Sequence, residues 1–242
     1  MVWTEPGLSK TASLQRLKAA GLAPRTVFDV GVATGTPDLY DVFEGVSYAL
    51  VEPLEESKPF MDRLVQRYPG SVAIHAAAGA APGEATLVVT NNISGSSMLI
   101  PSKNGVQRTV PVVTLDETAR THALQGPFLV KLDVQGYELD VLAGSEEVLS
   151  QTCALICEVS LWSDRKGQGM AQLLPIVAWL AERGFTLYDI ATIVRRDFDD
   201  AITEMDLVFL PAASPLRADH RYKRPDQAEA AIAKRRRSFG LE

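Results

Sequence analysis

Four acidic side chains stand at the ends of apolar, β-rich runs: Asp29, Glu52, Asp133 and Glu158. In a chain of alternating strands and helices such ends meet along one edge of a sheet, where ligands bind. A carboxylate placed there can accept hydroxyl donors, take up a proton, or ligate a hard cation. The first acid lies in Val27-Phe-Asp-Val-Gly-Val-Ala-Thr-Gly35. Gly31 and Gly35 allow a sharp turn and a close approach of backbone to ligand. The pattern is neither G-x-G-x-x-G nor G-x-x-x-x-G-K-[ST], so neither phosphate-binding fingerprint is present.

Glu52 closes the run Val46-Ser-Tyr-Ala-Leu-Val-Glu52 and is followed by Pro53. It comes about 20 residues after the first glycine, the spacing at which a strand-end acid holds ribose hydroxyls. A surface glutamate at a strand end is common. Together with the glycine turn it reads as a nucleoside site lacking a pyrophosphate anchor, which suits S-adenosylmethionine (SAM). In Phe128-Leu-Val-Lys-Leu-Asp133, Lys131 and Asp133 interrupt an otherwise buried strand. They either face the ligand crevice or pair with each other. Asp133 is the first candidate for a general base, Glu158 the second and His75 the third, although a lone histidine at a strand end is more simply structural. Asp133 and Glu158 on adjacent strand ends equally suit Mg²⁺, which favours carboxylates and water. The sequence leaves base and metal ligand both open.

The elements that must hold these residues follow from hydrophobic periodicity. Strands are expected at Arg25–Gly31, Val46–Glu52, Ser71–Ala78, Ala85–Thr90, Thr109–Val113, Phe128–Asp133, Cys153–Ser160, Phe185–Ile190 and Met205–Leu210. Helices are expected at Leu8–Ala20, at Glu55–Tyr68 with Phe60, Met61, Leu64 and Val65 on one face, at Gly136–Ser150 and at Met170–Arg183. Asn91–Gly105, rich in Ser, Asn and Gly, reads as a surface loop. Strands alternating with helices of this length indicate a parallel sheet with both faces covered. The organisation expected is an N-terminal helical extension (1–24), one α/β domain (25–212) and a basic, helical C-terminal tail (213–242). The tail holds eight basic residues against four acids from residue 217 onward. Its run Lys234-Arg-Arg-Arg237 reads as a solvated helix end, where cations suit the dipole.

Composition narrows the function classes. Of 242 residues, 24 are basic and 30 acidic, giving a net charge of −6, which argues against a general nucleic-acid binder. No apolar run approaches the length of a membrane span, and Met1–Lys10 has no secretory pattern. Cys153 and Cys157 lie on one strand about 13 Å apart, too far to bridge. They read as reduced core residues, in keeping with a cytoplasmic protein. The scattered His75, His122 and His220 match no zinc spacing.

Asp29-Val-Gly-Val-Ala-Thr-Gly35, Val51-Glu-Pro53, Val113-Thr-Leu-Asp-Glu117, Val130-Lys-Leu-Asp-Val-Gln-Gly-Tyr-Glu138 and Val141-Leu-Ala-Gly144 resemble the FkbM-type SAM-dependent methyltransferases, as does Asp206-Leu-Val-Phe209. The likeness covers roughly residues 25–210. It implies a class I methyltransferase (Rossmann-like) α/β fold: a seven-stranded, mostly parallel sheet, its last strand antiparallel, with helices on both faces. It also implies SAM as methyl donor and a hydroxyl acceptor on a sugar, glycan or natural product. Carried across, it puts Asp29, Gly31, Val32 and Gly35 around the methionine part, Glu52 and Pro53 at the ribose, Ala76, Ala77 and Ala78 at the adenine, and Asp133 at the sulfonium end. Two departures stand out: Val32-Ala33 where the family often has Asn, and Gln135 where it often has Glu. The competing readings are a nicotinamide-dependent oxidoreductase, which would need the missing dinucleotide glycines, and a non-catalytic binding protein built on the same fold.

Overall fold

The computed structural model of the chain describes residues 8–89, 106–162, 172–221, 223 and 225–239. The elements of the first half are α1 (Lys10–Ala19), β1 (Thr26–Val30), α2 (Pro37–Val42), β2 (Ser47–Val51), α3 (Lys58–Arg67), β3 (Val72–Ile74), β4 (Ala77–Ala78), β5 (Gly83–Val89) and β6 (Val106–Val113). Those of the second half are α4 (Leu115–Thr121), β7 (Phe128–Leu132), α5 (Glu138–Ala143), α6 (Glu146–Ser150), β8 (Thr152–Ser160), α7 (Leu173–Glu182), β9 (Phe185–Arg195), β10 (Ile202–Pro211) and α8 (Pro225–Ser238). Two compact units result, Met1–Ala212 and Ala213–Glu242. The second contains α8, whose last turn carries Arg235, Arg236 and Arg237.

Seven strands of the first unit form one sheet in the order β3-β2-β1-β7-β8-β10-β9. β1 pairs in parallel with β2 and β7, and β7 with β8. β10 runs antiparallel to both β8 and β9, so the last strand is the reversed one. This is the class I methyltransferase topology. β1 and β7 are buried along their whole length, as central parallel strands with two covered faces must be. On one face Phe28, Val30, Val130, Leu132, Leu155 and Cys157 pack with helix residues Val141, Leu142, Val148, Ile176 and Leu180 in the main core. On the other, Tyr48 of β2 stacks edge-on against Tyr40 of α2, with ring centroids 5.2 Å apart. Cys153 and Cys157 are both free thiols. Among the described residues no helix is long and apolar enough to cross a membrane.

Several elements depart from the expected pattern. Ser71–Ala78 is not one strand. β3 joins the main sheet through Val51↔Ile74, whereas β4 pairs with β6 through Ala77↔Val112 in a separate three-stranded sheet, β4-β6-β5. The chain therefore changes sheets at His75 and Ala76. Gly136–Ser150 is two short helices rather than one. The break falls at Gly144, where a Cβ would lie 2.2 Å from the Gly79 carbonyl oxygen, so the helix passes too close to the second sheet for any side chain there. α2 and α4, of six and seven residues, were not apparent from periodicity. α4 is nonetheless capped as sequence rules require, Thr114 Oγ1 accepting from Glu117 N at 3.1 Å. Asn91–Gly105 and Met170, the expected start of α7, lie outside the described residues.

Candidate active site

The carboxyl ends of β1, β2 and β7 surround a cleft of about 220 Å³. Its floor is the turn after β1. Gly31 has φ +78° and Gly35 φ +105°, left-handed conformations that favour glycine. A Cβ on Gly31 would stand 1.8 Å from the Asp133 carbonyl oxygen, and one on Gly35 would stand 2.1 Å from the Phe60 ring. Neighbouring protein atoms therefore fill the space that a side chain at either position would need. The backbone of both glycines still lines the cleft, together with Val32. Ala33, at φ +45°, shares the left-handed region without being glycine, a strain of about 1–2 kcal/mol.

Glu52 stabilises that strained turn. Its Oε2 accepts from Ala33 N at 2.9 Å and its Oε1 from Leu54 N at 3.0 Å. The residue is 5% exposed and lines the cleft. Burial lifts its pKa above the ordinary value, and the two backbone N–H groups only partly offset this. Each carboxylate oxygen has a second lone-pair direction available to a ligand hydroxyl. Pro53 and Leu54 continue the wall, and Ala77, Ala78 and Leu87 of the second sheet close an apolar end.

Beneath the cleft lies a buried charge network. Asp29 is fully buried and does not line the cleft, contrary to the role the resemblance gave it. Its oxygens accept from Thr36 Oγ1 at 3.2 Å and Tyr40 OH at 2.5 Å. Lys131 Nζ lies 3.2 Å from Asp29 and 3.6 Å from Asp133, and donates to the Gly31 carbonyl at 2.7 Å. The lysine thus pairs across the sheet as well as along its own strand, because Asp29 and Lys131 are partners in the β1–β7 register. Burial alone would lower the ammonium pKa, but the two carboxylates outweigh it and hold Lys131 charged.

Asp133 stands at the cleft's edge, with Glu158, two residues before the end of β8, linked to it through Gln135. Gln135 Nε2 donates to Asp133 Oδ1 at 3.0 Å and to Glu158 Oε2 at 2.8 Å. Gln135, at φ +54°, is held in the left-handed region. Burial works against the ionised Asp133, but Lys131 and the bonds from Glu158 and Gln135 bring its pKa below the ordinary range. The pKa of Glu158 is pushed well up, first by burial and then by the Asp133 charge. Of the two carboxyls, Asp133 is the one favoured to ionise and Glu158 the one favoured to keep its proton. This donor set does not fit Mg²⁺. An amide N–H₂ group bonds both carboxyls, and the Lys131 ammonium lies 3.6 Å from Asp133. Among the described residues no group of three or more His, Cys, Asp or Glu side chains is arranged around a metal position.

His75 is not brought to the cleft. It is exposed and lines a separate groove with Lys58, Arg108 and Pro111. Conversely, the cleft includes Lys10, Asp38, Leu87 and Gln135, which motif reading did not select as site residues. Only Gln135 had a sequence signal, as a departure from the family pattern.

The model of the FkbM methyltransferase domain matches residues 29–187. The chain belongs to the FkbM methyltransferase family. The family match spans Gly31, Glu52, Asp133 and Glu158, and leaves Lys10, Glu204 and Asp206 outside it. No curated protein matches the sequence. Among solved structures the chain is similar to a precorrin-6y C5,15-methyltransferase from Geobacter metallireducens GS-15, with 11% identity, TM-score 0.42 and coverage of 86% of this chain and 91% of that one. It is also similar to the METTL16 MTase domain, with 10% identity, TM-score 0.40 and coverage of 83% and 65%. The 16S rRNA methylase ArmA shows 10% identity, TM-score 0.36 and coverage of 84% of both chains.

Proposed function

We propose that the cleft binds S-adenosylmethionine and that the protein transfers its methyl group to a hydroxyl oxygen of a sugar, glycan or other small natural product. The observation that carries this reading is Glu52: a strand-end carboxylate fixed by two backbone N–H groups between a glycine turn and an apolar wall. Such a carboxylate suits the two hydroxyls of a ribose, and Ala77, Ala78 and Leu87 offer the flat apolar contact an adenine needs. Backbone at Gly31, Val32 and Gly35 would flank the remainder. When bound, the cofactor supplies an electrophilic methyl group on a sulfonium.

The turn also argues against a dinucleotide. Gly31 N donates to the Val51 carbonyl and Gly35 N to the Val32 carbonyl, while Ala33 N is held by Glu52. These three amides are engaged within the protein and do not serve as the donors that cradle a pyrophosphate.

Asp133 then acts on the acceptor. Held ionised by Lys131, it accepts a hydrogen bond from the acceptor hydroxyl and fixes its oxygen in line, where most of the acceleration of a direct displacement arises. A carboxylate of lowered pKa is a weak base, so the proton is taken late, as the acceptor oxygen becomes acidic in the transition state. The raised pKa of Glu158 works against the pair carrying two negative charges.

The test is methyl transfer from radiolabelled SAM to a panel of hydroxylated sugars and glycans, with amine and RNA acceptors in parallel. Label incorporated into a hydroxyl acceptor supports the reading. Incorporation only into amines or RNA would remove the acceptor class while leaving the donor.

A further inference from the structure

Among the described residues, two basic side chains border the cleft, Lys131 and Lys10. Lys131 is 2% exposed and engaged on all sides by Asp29, Asp133 and the carbonyl of Gly31. Lys10 differs. It is the first residue of α1, and its ammonium lies 3.1 Å from Asp206 Oδ2 while its side chain keeps 15% exposure. α1 is held in place by Ser9, whose Oγ caps Ala12 N at 3.0 Å, by the Thr11–Asp38 bond, and by Ser13 and Arg16, which bond Asp189 at 2.6 and 2.7 Å. Lys10 is therefore positioned by long-range packing, not by a motif.

Its place in the sheet order is informative. Glu52 follows β2, whereas Asp206 lies on β10, with β1, β7 and β8 between them. Lys10 thus approaches the cleft from the end opposite Glu52. With the ribose at Glu52 and the adenine at Ala77–Ala78, the amino-acid end of SAM extends toward Lys10. That end carries a carboxylate. The other charged groups along the cleft, Asp38, Glu52 and Asp133, are acids; they suit an ammonium or a sulfonium and repel a carboxylate.

We propose that Lys10 binds the carboxylate of the cofactor's methionine end, which makes α1 part of the donor site although it lies outside the family match. This rests on the SAM reading above. The pair would be a charge-assisted contact at a partly desolvated position.

The experiment compares two ligands by calorimetry on the full chain: S-adenosylhomocysteine, which has the carboxylate, and 5′-methylthioadenosine, which has the same nucleoside but no amino-acid end. Lys10→Met should weaken S-adenosylhomocysteine by about tenfold or more and leave methylthioadenosine unchanged, while Lys10→Arg keeps the wild-type preference. Lys10→Gln retains a donor for Asp206 and serves if the methionine variant does not fold. Undiminished affinity for S-adenosylhomocysteine, or equal losses for both ligands, would overturn the proposal. Wild-type protein that binds neither ligand would overturn the SAM reading itself, whereas methylthioadenosine binding without any preference for S-adenosylhomocysteine would sink only the role of Lys10.

Discussion

The two ends of the cleft are built on different plans. At the β1–β2 end the polar groups are locked into the backbone: Glu52 bonds Ala33 and Leu54, and the turn glycines bond neighbouring carbonyls. At the β7–β8–β10 end Asp133 lines the cleft, and its charge acts on the neighbouring Glu158 and Glu204. The pKa of Glu204 is raised by burial and by the charges of Asp133 and Asp206, and Asp206 Oδ1 is buried without a hydrogen-bond partner. Lys131 and Lys10 supply the offsetting charge from below and from the side. The first end suits a ligand whose polar groups stay the same throughout a reaction. The second suits chemistry in which a proton is gained or lost.

The largest effect should come from removing the support that both ends share. Asp29→Ala leaves Lys131 short of its nearest carboxylate and strips Tyr40 of its acceptor. Breaking a buried pair this way is expected to reduce unfolding free energy by about 3–5 kcal/mol, measured by urea denaturation. A loss near that of an ordinary surface substitution would mean that Asp29 does not anchor the network.

Next, Asp133→Asn is nearly isosteric and should separate the two plans. Methyl transfer should fall by about 10²-fold or more, while S-adenosylhomocysteine still binds and the protein still melts cooperatively. An unchanged rate would move the chemistry from Asp133 to Glu158. If Asp133 were only an ion-pair partner of Lys131, stability would drop and activity per folded molecule would survive.

A third test concerns Glu158 and pH. Its pKa rises from the ordinary 4.5 to about 10 in the folded state. A group raised in this way contributes its full stabilisation below the unfolded value, and that contribution is lost as pH climbs toward the folded one. Wild-type Tm should therefore decline between about pH 5 and pH 9. Glu158→Gln, which cannot ionise, should decline less, so the difference in Tm grows in the variant's favour as pH rises. Parallel curves for the two proteins would show that Glu158 ionises as freely as a surface carboxyl.

Most of this sheet was legible because buried parallel strands are continuous apolar runs, and polar residues stand out at their ends. Glu52, Asp133 and Glu158 were found by that contrast. What escaped detection depends on distances between segments. Nothing local distinguishes Lys10 from any other helix-start lysine; packing of α1 against β9 sets its position. The Asp29–Lys131 pair is a matter of strand register, so the sequence suggested only the neighbour Asp133 as a partner. His75 was misplaced because Ser71–Ala78 reads as one apolar stretch, whereas the alanines leave the main sheet to pair with Val112 and Val113. The glycines show a subtler point. Gly31 and Gly35 are needed where the motif predicted, but the close neighbours are the Asp133 carbonyl and the Phe60 ring.

The central claim is that Glu52 anchors the ribose of a SAM-type ligand. Its most direct test is a calorimetric titration of S-adenosylhomocysteine into wild-type protein and into Glu52→Ala. The account predicts one saturable site in the wild type and an affinity lower by at least about tenfold in the variant, since two charge-assisted hydrogen bonds are lost, with Tm measured alongside to show that the variant is folded. Equal affinity in the two proteins, or no binding to the wild type at millimolar ligand, would contradict it.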